Sequence, residues 1–175
     1  AISMLVAGSI VSLMVGQMKA TSTLNRNMLN EQTLRDNIVY MTDEINSMGN
    51  NSVEPFMSEA EIDQVQFNGD FDNDGTVDQV EYIYDEDSGE LSRTLRSSDD
   101  NGATWDDVST DVLIPNVEEM EFLYYTTGNV ESEDVDLITA VQIRVKLDTG
   151  AGATEFNAGK IAEEEQVSRV TIRNR

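Results

Sequence analysis

The 175-residue chain is about one domain long, and its 34 acidic against 11 basic residues leave a formal charge of -23. A surface of that sign repels phosphate backbones and anionic headgroups, which excludes nucleic acid as a partner and favours dissolved cations. With neither cysteine nor histidine in the chain, disulfide scaffolds, thiolate metal sites, the commonest general base and the commonest zinc ligand are all missing, and most enzyme classes go with them.

The charge is unevenly spread. Residues 1–48 carry a net -1 and residues 49–175 the remaining -22. The first stretch, Ala1 to Met18, holds no charge at all, and its length is near the lower limit for an apolar segment that crosses a bilayer. It has neither the basic start nor the small-residue cleavage site of a secretory signal. Gly8, Ser12, Gly16 and Ala20 recur every four residues, the spacing that lets helix backbones approach closely where no water drives association. Residues 1–23 are therefore read as a segment for lipid or for other helices.

Beyond Lys19 the pattern becomes amphipathic. Leu34, Ile38, Met41, Ile45 and Met48 step by 4, 3, 4 and 3, while Arg35, Asp36, Asp43 and Glu44 take other positions. No proline interrupts residues 1–48, and Gly49 followed by Pro55 supplies a stop. The simplest expectation is one continuous helix of about 70 Å, with residues 24–48 packed on the protein's own globular part.

From Asp63 the period is two. Val80, Tyr82 and Tyr84 alternate with Gln79 and Glu81, Asp87 to Gly89 reads as a turn, and "ELSRTLRSS" reads as the returning strand of a hairpin. "EEMEFLYYTT", "DLITAVQIRVKLD" and "QVSRVTIRNR" are three further strands, and residues 148–160 form a loop between the last two. A long helix followed by an antiparallel meander predicts an α+β fold: helix 1–48 laid across one face of an antiparallel sheet formed by an acidic domain, residues 49–175.

Two motifs carry chemistry. "DFDNDGTVDQVE", Asp70 to Glu81, fits a calcium-loop pattern with carboxylates at alternate positions. Asp70, Asp72 and Asp74 supply those carboxylates, Gly75 the sharp turn, Thr76 a backbone carbonyl, and Asp78 a direct or water-mediated ligand. Hard oxygen donors of this kind suit a structural Ca2+ ion better than magnesium, with affinity in the weak range of extracellular modules. Glu81 fits the pattern's last position, but the chain leaves this loop as a strand and turns Glu81 to the opposite face, so it is left out of the ligand set. The second motif, Ser98, Asp100, Gly102, Thr104 and Trp105 in "SSDDNGATW", has the Asp-box form. It predicts a rigid hairpin turn in which Asp100 binds the loop backbone and Trp105 packs beneath.

An apolar helical start that runs into an amphipathic helix and then an antiparallel sheet resembles the type IV pilin and type II secretion pseudopilin superfamily, most of all its W-type minor pilins and J-type pseudopilins. "AISMLVAGSIVSLMVGQ" looks like the later part of their N-terminal helix, "LRDNIVYMTDEINSMGNNSVEPF" like its exit, "FDNDGTVDQVEYIYDEDSGELSRTL" like their Asp-rich turn and hairpin, and "VSRVTIRNR" like their C-terminal end. That family's mature chains start with Phe or Met and place a glutamate soon after, whereas no acid precedes Glu31 here; the resemblance implies that about one or two helical turns come before Ala1.

The resemblance implies a non-enzymatic structural subunit of an extracellular pilus-like filament on the cell surface. Copies of the chain would join through the apolar helix in an open helical polymer, after residence in the inner membrane and handling by pilus or secretion assembly machinery. The alternative is a minor pilin or pseudopilin at a filament tip, with an adhesive or assembly-priming role. A hydrolase with paired carboxylates finds no supporting spacing, because no acid is set in visibly apolar surroundings.

Overall fold

The computed structural model describes residues 17–18, 21, 32–50, 55–100, 102–147 and 165–172. The chain divides into a unit of residues 1–36 and a unit of residues 37–175. All eight strands belong to the second: β1 (Met57–Ala60), β2 (Gln64–Gly69), β3 (Val77–Asp85), β4 (Glu90–Ser98), β5 (Asp106–Pro115), β6 (Val117–Thr126), β7 (Ile138–Leu147) and β8 (Glu165–Thr171). They form two antiparallel sheets, β1-β2-β3-β4-β5 and β6-β7-β8.

The expected α+β fold, one long helix across one sheet, is corrected. Among the described residues the protein is mostly β, with two sheets and a short helix, α1, over residues 32–47. Gln17, Met18 and Thr21 are also helical, and among the described residues no helix is long and apolar enough to cross a membrane. The expectations of a type IV pilin, a membrane helix and a helical polymer therefore lack support in the structure. Gly8, Ser12, Gly16, Ala20 and the loop 148–160 lie outside the described residues.

The second sheet arises at a corner. β5 ends at Pro115, which has no N–H to extend a ladder, and Asn116 follows in the left-handed region at φ 59°. One residue thus turns the chain from β5 into β6, and the meander cannot continue as a single sheet. Contacts from the first sheet then close the outer side of β6: Val117 N–H donates to Gly89 O at 2.8 Å and Phe122 N–H to Ile62 O at 2.7 Å.

In the second unit the helical stripe Ile38, Met41, Ile45 and Met48 is buried, together with Val65, Phe67, Val80, Tyr82 and Leu91 of the first sheet and Phe122, Val141, Ile143 and Val145 of the second. Removing such side chains from water, at about 25 cal/mol per Å2 of apolar surface, is the main force that joins helix and strands. One polar node sits among them. Arg93 grips Glu44 through Nη2–Oε1 at 2.6 Å and Nε–Oε2 at 3.0 Å, and the Tyr82 hydroxyl donates to the same carboxylate. Burial pushes the Tyr82 hydroxyl far up, so it stays a donor. Glu44, which lies off the apolar stripe, therefore still faces inward.

Candidate metal centre

The Asp-rich loop connects β2 to β3 and is anchored from behind. Gly49, at the end of α1, has φ 78° and donates its N–H to Asn68 O at 2.9 Å, while Asp70 N–H donates to Asn50 O at 2.9 Å. The loop thus starts against the helix exit and ends in the central strand β3.

Its backbone is wound around its own carboxylates. Gly75 N–H donates to Asp70 Oδ2 at 3.2 Å, Asp74 N–H to Asp72 Oδ1 at 3.0 Å, and Phe71 N–H to Asp78 Oδ2 at 3.1 Å. Asn73 and Gly75 both take positive φ, 61° and 89°. At those angles the chain can double back within a few residues, and asparagine and glycine are the residues that tolerate them best.

The consequence is convergence. Asp70, Asp72 and Asp78 each offer a carboxylate oxygen, and the three oxygens lie within 4.8 Å of one another. Two ligands each about 2.4 Å from a calcium ion are at most about 4.8 Å apart, so the donor set fits that ion in both chemistry and spacing. Asp70 and Asp78 are 2% and 3% exposed, whereas Asp72 is open to solvent. Residues 70–92 contain no lysine or arginine. Burial first, and then the charges of Asp72 and Asp74, raise the Asp78 carboxyl above its ordinary value, against the hydrogen bonds from Phe71 N–H and Ser97 that pull it down.

Of the five expected ligands, the structure groups three. Asp74 is not in that group: its Oδ1 accepts the Thr76 N–H at 2.7 Å and the Thr76 hydroxyl at 2.5 Å, and these bonds hold its carboxyl below the usual range. The Thr76 N–H and hydroxyl are engaged on Asp74, and the hydroxyl also lies 3.4 Å from Ser97 Oγ, while the expected donor of Thr76 is its backbone carbonyl. Glu81 is on the far face of the sheet, with Oε2 2.8 Å from Arg96 Nη2 and Oε1 accepting from Gln64 Nε2 at 2.8 Å.

Sequence reasoning missed Ser97, which braces Asp78 from the neighbouring strand. The hairpin register held the signal, because Asp78 pairs with Ser97 across β3 and β4. The same register brings the second motif alongside, since Val77 pairs with Ser98.

That second motif is a closed turn between β4 and β5. Asp100 accepts the Thr104 N–H at 2.8 Å on Oδ1, the Thr104 hydroxyl at 2.8 Å on Oδ2, and the Ser98 hydroxyl at 2.8 Å on Oδ1. The N–H of Gly102 donates to Ser98 Oγ at 2.7 Å. Gly102 has φ 85°, and a Cβ there would meet Trp105 Cζ2 at 3.2 Å, so the half-buried indole lies directly beneath the turn.

No protein-family model and no curated protein matches the chain. The likeness to the pilin superfamily is therefore carried by the quoted residues alone.

Proposed function

We propose that this protein is a structural, non-catalytic one whose acidic β domain binds Ca2+ in the β2–β3 loop. The observation that carries the reading is the convergence of Asp70, Asp72 and Asp78, two of them buried, within 4.8 Å. Like charges so placed repel, and a divalent ion turns that repulsion into a clamp between the helix exit and β3. The affinity expected of such a site, about 0.1–1 mM, is satisfied only where calcium is abundant, which favours an extracellular location.

As the setting for the domain we propose a structural subunit of an extracellular filament, with copies of itself as partners and no nucleic acid. Sequence features support this setting: the uncharged stretch 1–18, and 22 of the 23 net negative charges gathered in residues 49–175. Electron microscopy of material sheared from native cells, with mass spectrometry of the same fraction, tests it; absence of the chain from every filament sinks it.

Thermal unfolding of the full chain with and without calcium tests the clamp. At 10 mM calcium the expected stabilisation is about 1.4–2.7 kcal/mol, or about 3–10 °C in Tm, with a smaller gain from magnesium. A midpoint unmoved by calcium would remove the ion from the account.

A further inference from the structure

Among the described residues the two sheets have four edges, and three of the four are blunted. β1 has only four residues and a register shift between Met57 and Glu59. β5 carries two register shifts and ends in Pro115, and Asn37 Nδ2 donates to its Leu113 O at 2.7 Å. β6 is closed by Ile62 O and Gly89 O, as described above. Short strands, bulges, proline and covering groups are the usual devices that stop a sheet from pairing with another chain.

Among the described residues, β8 has none of them. It is the outer strand of its sheet and runs seven residues beside β7 without a register shift or a proline. Ile172 N–H donates to Thr139 O at 2.9 Å, so the even-numbered residues of this strand point their backbone groups at β7. Glu165, Val167, Arg169 and Thr171 therefore direct N–H and C=O to the open side, because hydrogen-bonded pairs alternate along an antiparallel ladder. The side chains of these four residues are exposed, Val167 at 55%.

We propose that the β8 edge is a self-association surface, on which a second copy of this chain pairs antiparallel about a two-fold axis through Val167. In that register Val167 faces Val167 of the second copy, and Glu165 faces Arg169 of the second copy, twice. An isologous contact demands such self-complementarity, and the sequence Glu165-Gln166-Val167-Ser168-Arg169 meets it around its centre. Cross-strand apolar and opposite-charge pairs are both stabilising. The two charged side chains are already held along the face, Glu165 Oε1 at 3.0 Å from Arg144 Nε and the Arg169 guanidinium 4.4 Å from the Tyr125 ring centroid. The net charge of -23 opposes association in general. On this sheet, however, Arg144 and Lys146 pair with Glu121, Glu165 and Glu118 and soften the local field.

The chain has no cysteine, so Val167→Cys gives a single thiol on the axis. Hydrogen-bonded partners have Cα atoms about 5.5 Å apart, within the range a disulfide spans. Under mild oxidation of the full chain, Val167→Cys is expected to form a linked dimer at least about tenfold faster than Val112→Cys, a control of similar exposure on β5, 53%. Adding Arg169→Glu to Val167→Cys sets like charges opposite each other and lowers trapping by about fivefold or more. Mixing that protein with Val167→Cys/Glu165→Arg restores trapping between the two. Wild-type chain gives a second readout: sedimentation shows a dimer that Val167→Pro converts to monomer, since the Val167 N–H faces away from β7. Equal trapping at Val167 and Val112, trapping indifferent to the charge changes, or a monomeric wild type overturns the proposal.

Discussion

Two aspartate-rich turns lie side by side at one end of the first sheet and handle their charge in opposite ways. In the β4–β5 turn, Asp100 spends both carboxylate oxygens on the turn itself, on the N–H and hydroxyl of Thr104 and the hydroxyl of Ser98. In the β2–β3 loop, Asp70, Asp72 and Asp78 point at one another. A single acid surrounded by donors stabilises a turn unaided, whereas three acids that share a centre leave it short of positive charge. Composition alone cannot separate the two cases, since both stretches read as acidic, glycine-containing loops. What separates them is how many carboxylates meet at one point.

The largest expected effect turns on that distinction. Asp78→Asn keeps the size of the side chain and removes its charge, so it is expected to abolish the calcium-dependent rise in Tm, which is about 3–10 °C for the unaltered chain at 10 mM calcium. Without calcium the sign reverses. The buried carboxylate destabilises the ion-free fold, so Asp78→Asn is expected to melt above the unaltered protein in chelator. Asp100→Asn gives neither result: it lowers Tm to the same extent with and without calcium. Paired melts of the three proteins with and without calcium decide the matter, and a calcium response that survives Asp78→Asn erases the contrast between the turns.

A smaller effect tests the closed turn. Gly102 adopts φ 85° above the Trp105 ring. Gly102→Ala places a Cβ in the left-handed region and against the indole at 3.2 Å, with an expected cost of about 1–2 kcal/mol in urea unfolding. Calcium affinity measured by titration calorimetry should stay within about twofold, because the change is confined to the neighbouring turn. A large loss of affinity would mean that the two turns act as one unit through the contact of Ser97 with Thr76 and Asp78.

How much of this was legible in the sequence depended on the range of the interactions. The Asp100 turn closes within a few residues, and its motif names every partner. The loop at Asp70 was legible as a ligand pattern, but not in the fate of Asp74, whose carboxylate the adjacent Thr76 N–H and hydroxyl engage. In β7 the alternation of Val141, Ile143 and Val145 marks the buried face, yet Leu137, in the same odd-numbered series just before the strand, is 55% exposed. The register shift between Tyr125 and Thr126, which pair with Ala140 and Ile138, breaks the period there. β5 was overlooked because its aspartates mask an extended segment that pairs along the whole of β4. Glu44 reads only as lying off the apolar stripe, although three residues after Met41 and four before Met48 it belongs near the stripe's edge; Arg93, 49 positions away, makes its inward position tenable.

The smallest effect is in pH, and its sign differs between the two turns. Asp78 has a folded-state value raised above its unfolded one, so its contribution to stability is fully present below the ordinary value near 3.8 and is lost as pH rises through the folded value. Asp100 is lowered, chiefly by the Thr104 N–H and hydroxyl, so its contribution is present above 3.8 and is lost as pH falls through its folded value. Acidification of the ion-free protein thus relieves Asp78 while it weakens Asp100, and Asp74, lowered by its bonds to Thr76, falls on the same side as Asp100. Asp78→Asn should steepen the acid-side loss of stability, and Asp100→Asn should make it shallower. Calcium adds a third slope, because protons and the ion compete for Asp78 and affinity must fall as pH falls. Urea unfolding across the carboxylate range, with and without calcium, reads all three slopes in one series. If the two variants shift the profile in the same direction, the charge at Asp78 is already compensated, and the loop at Asp70 is a closed turn like its neighbour.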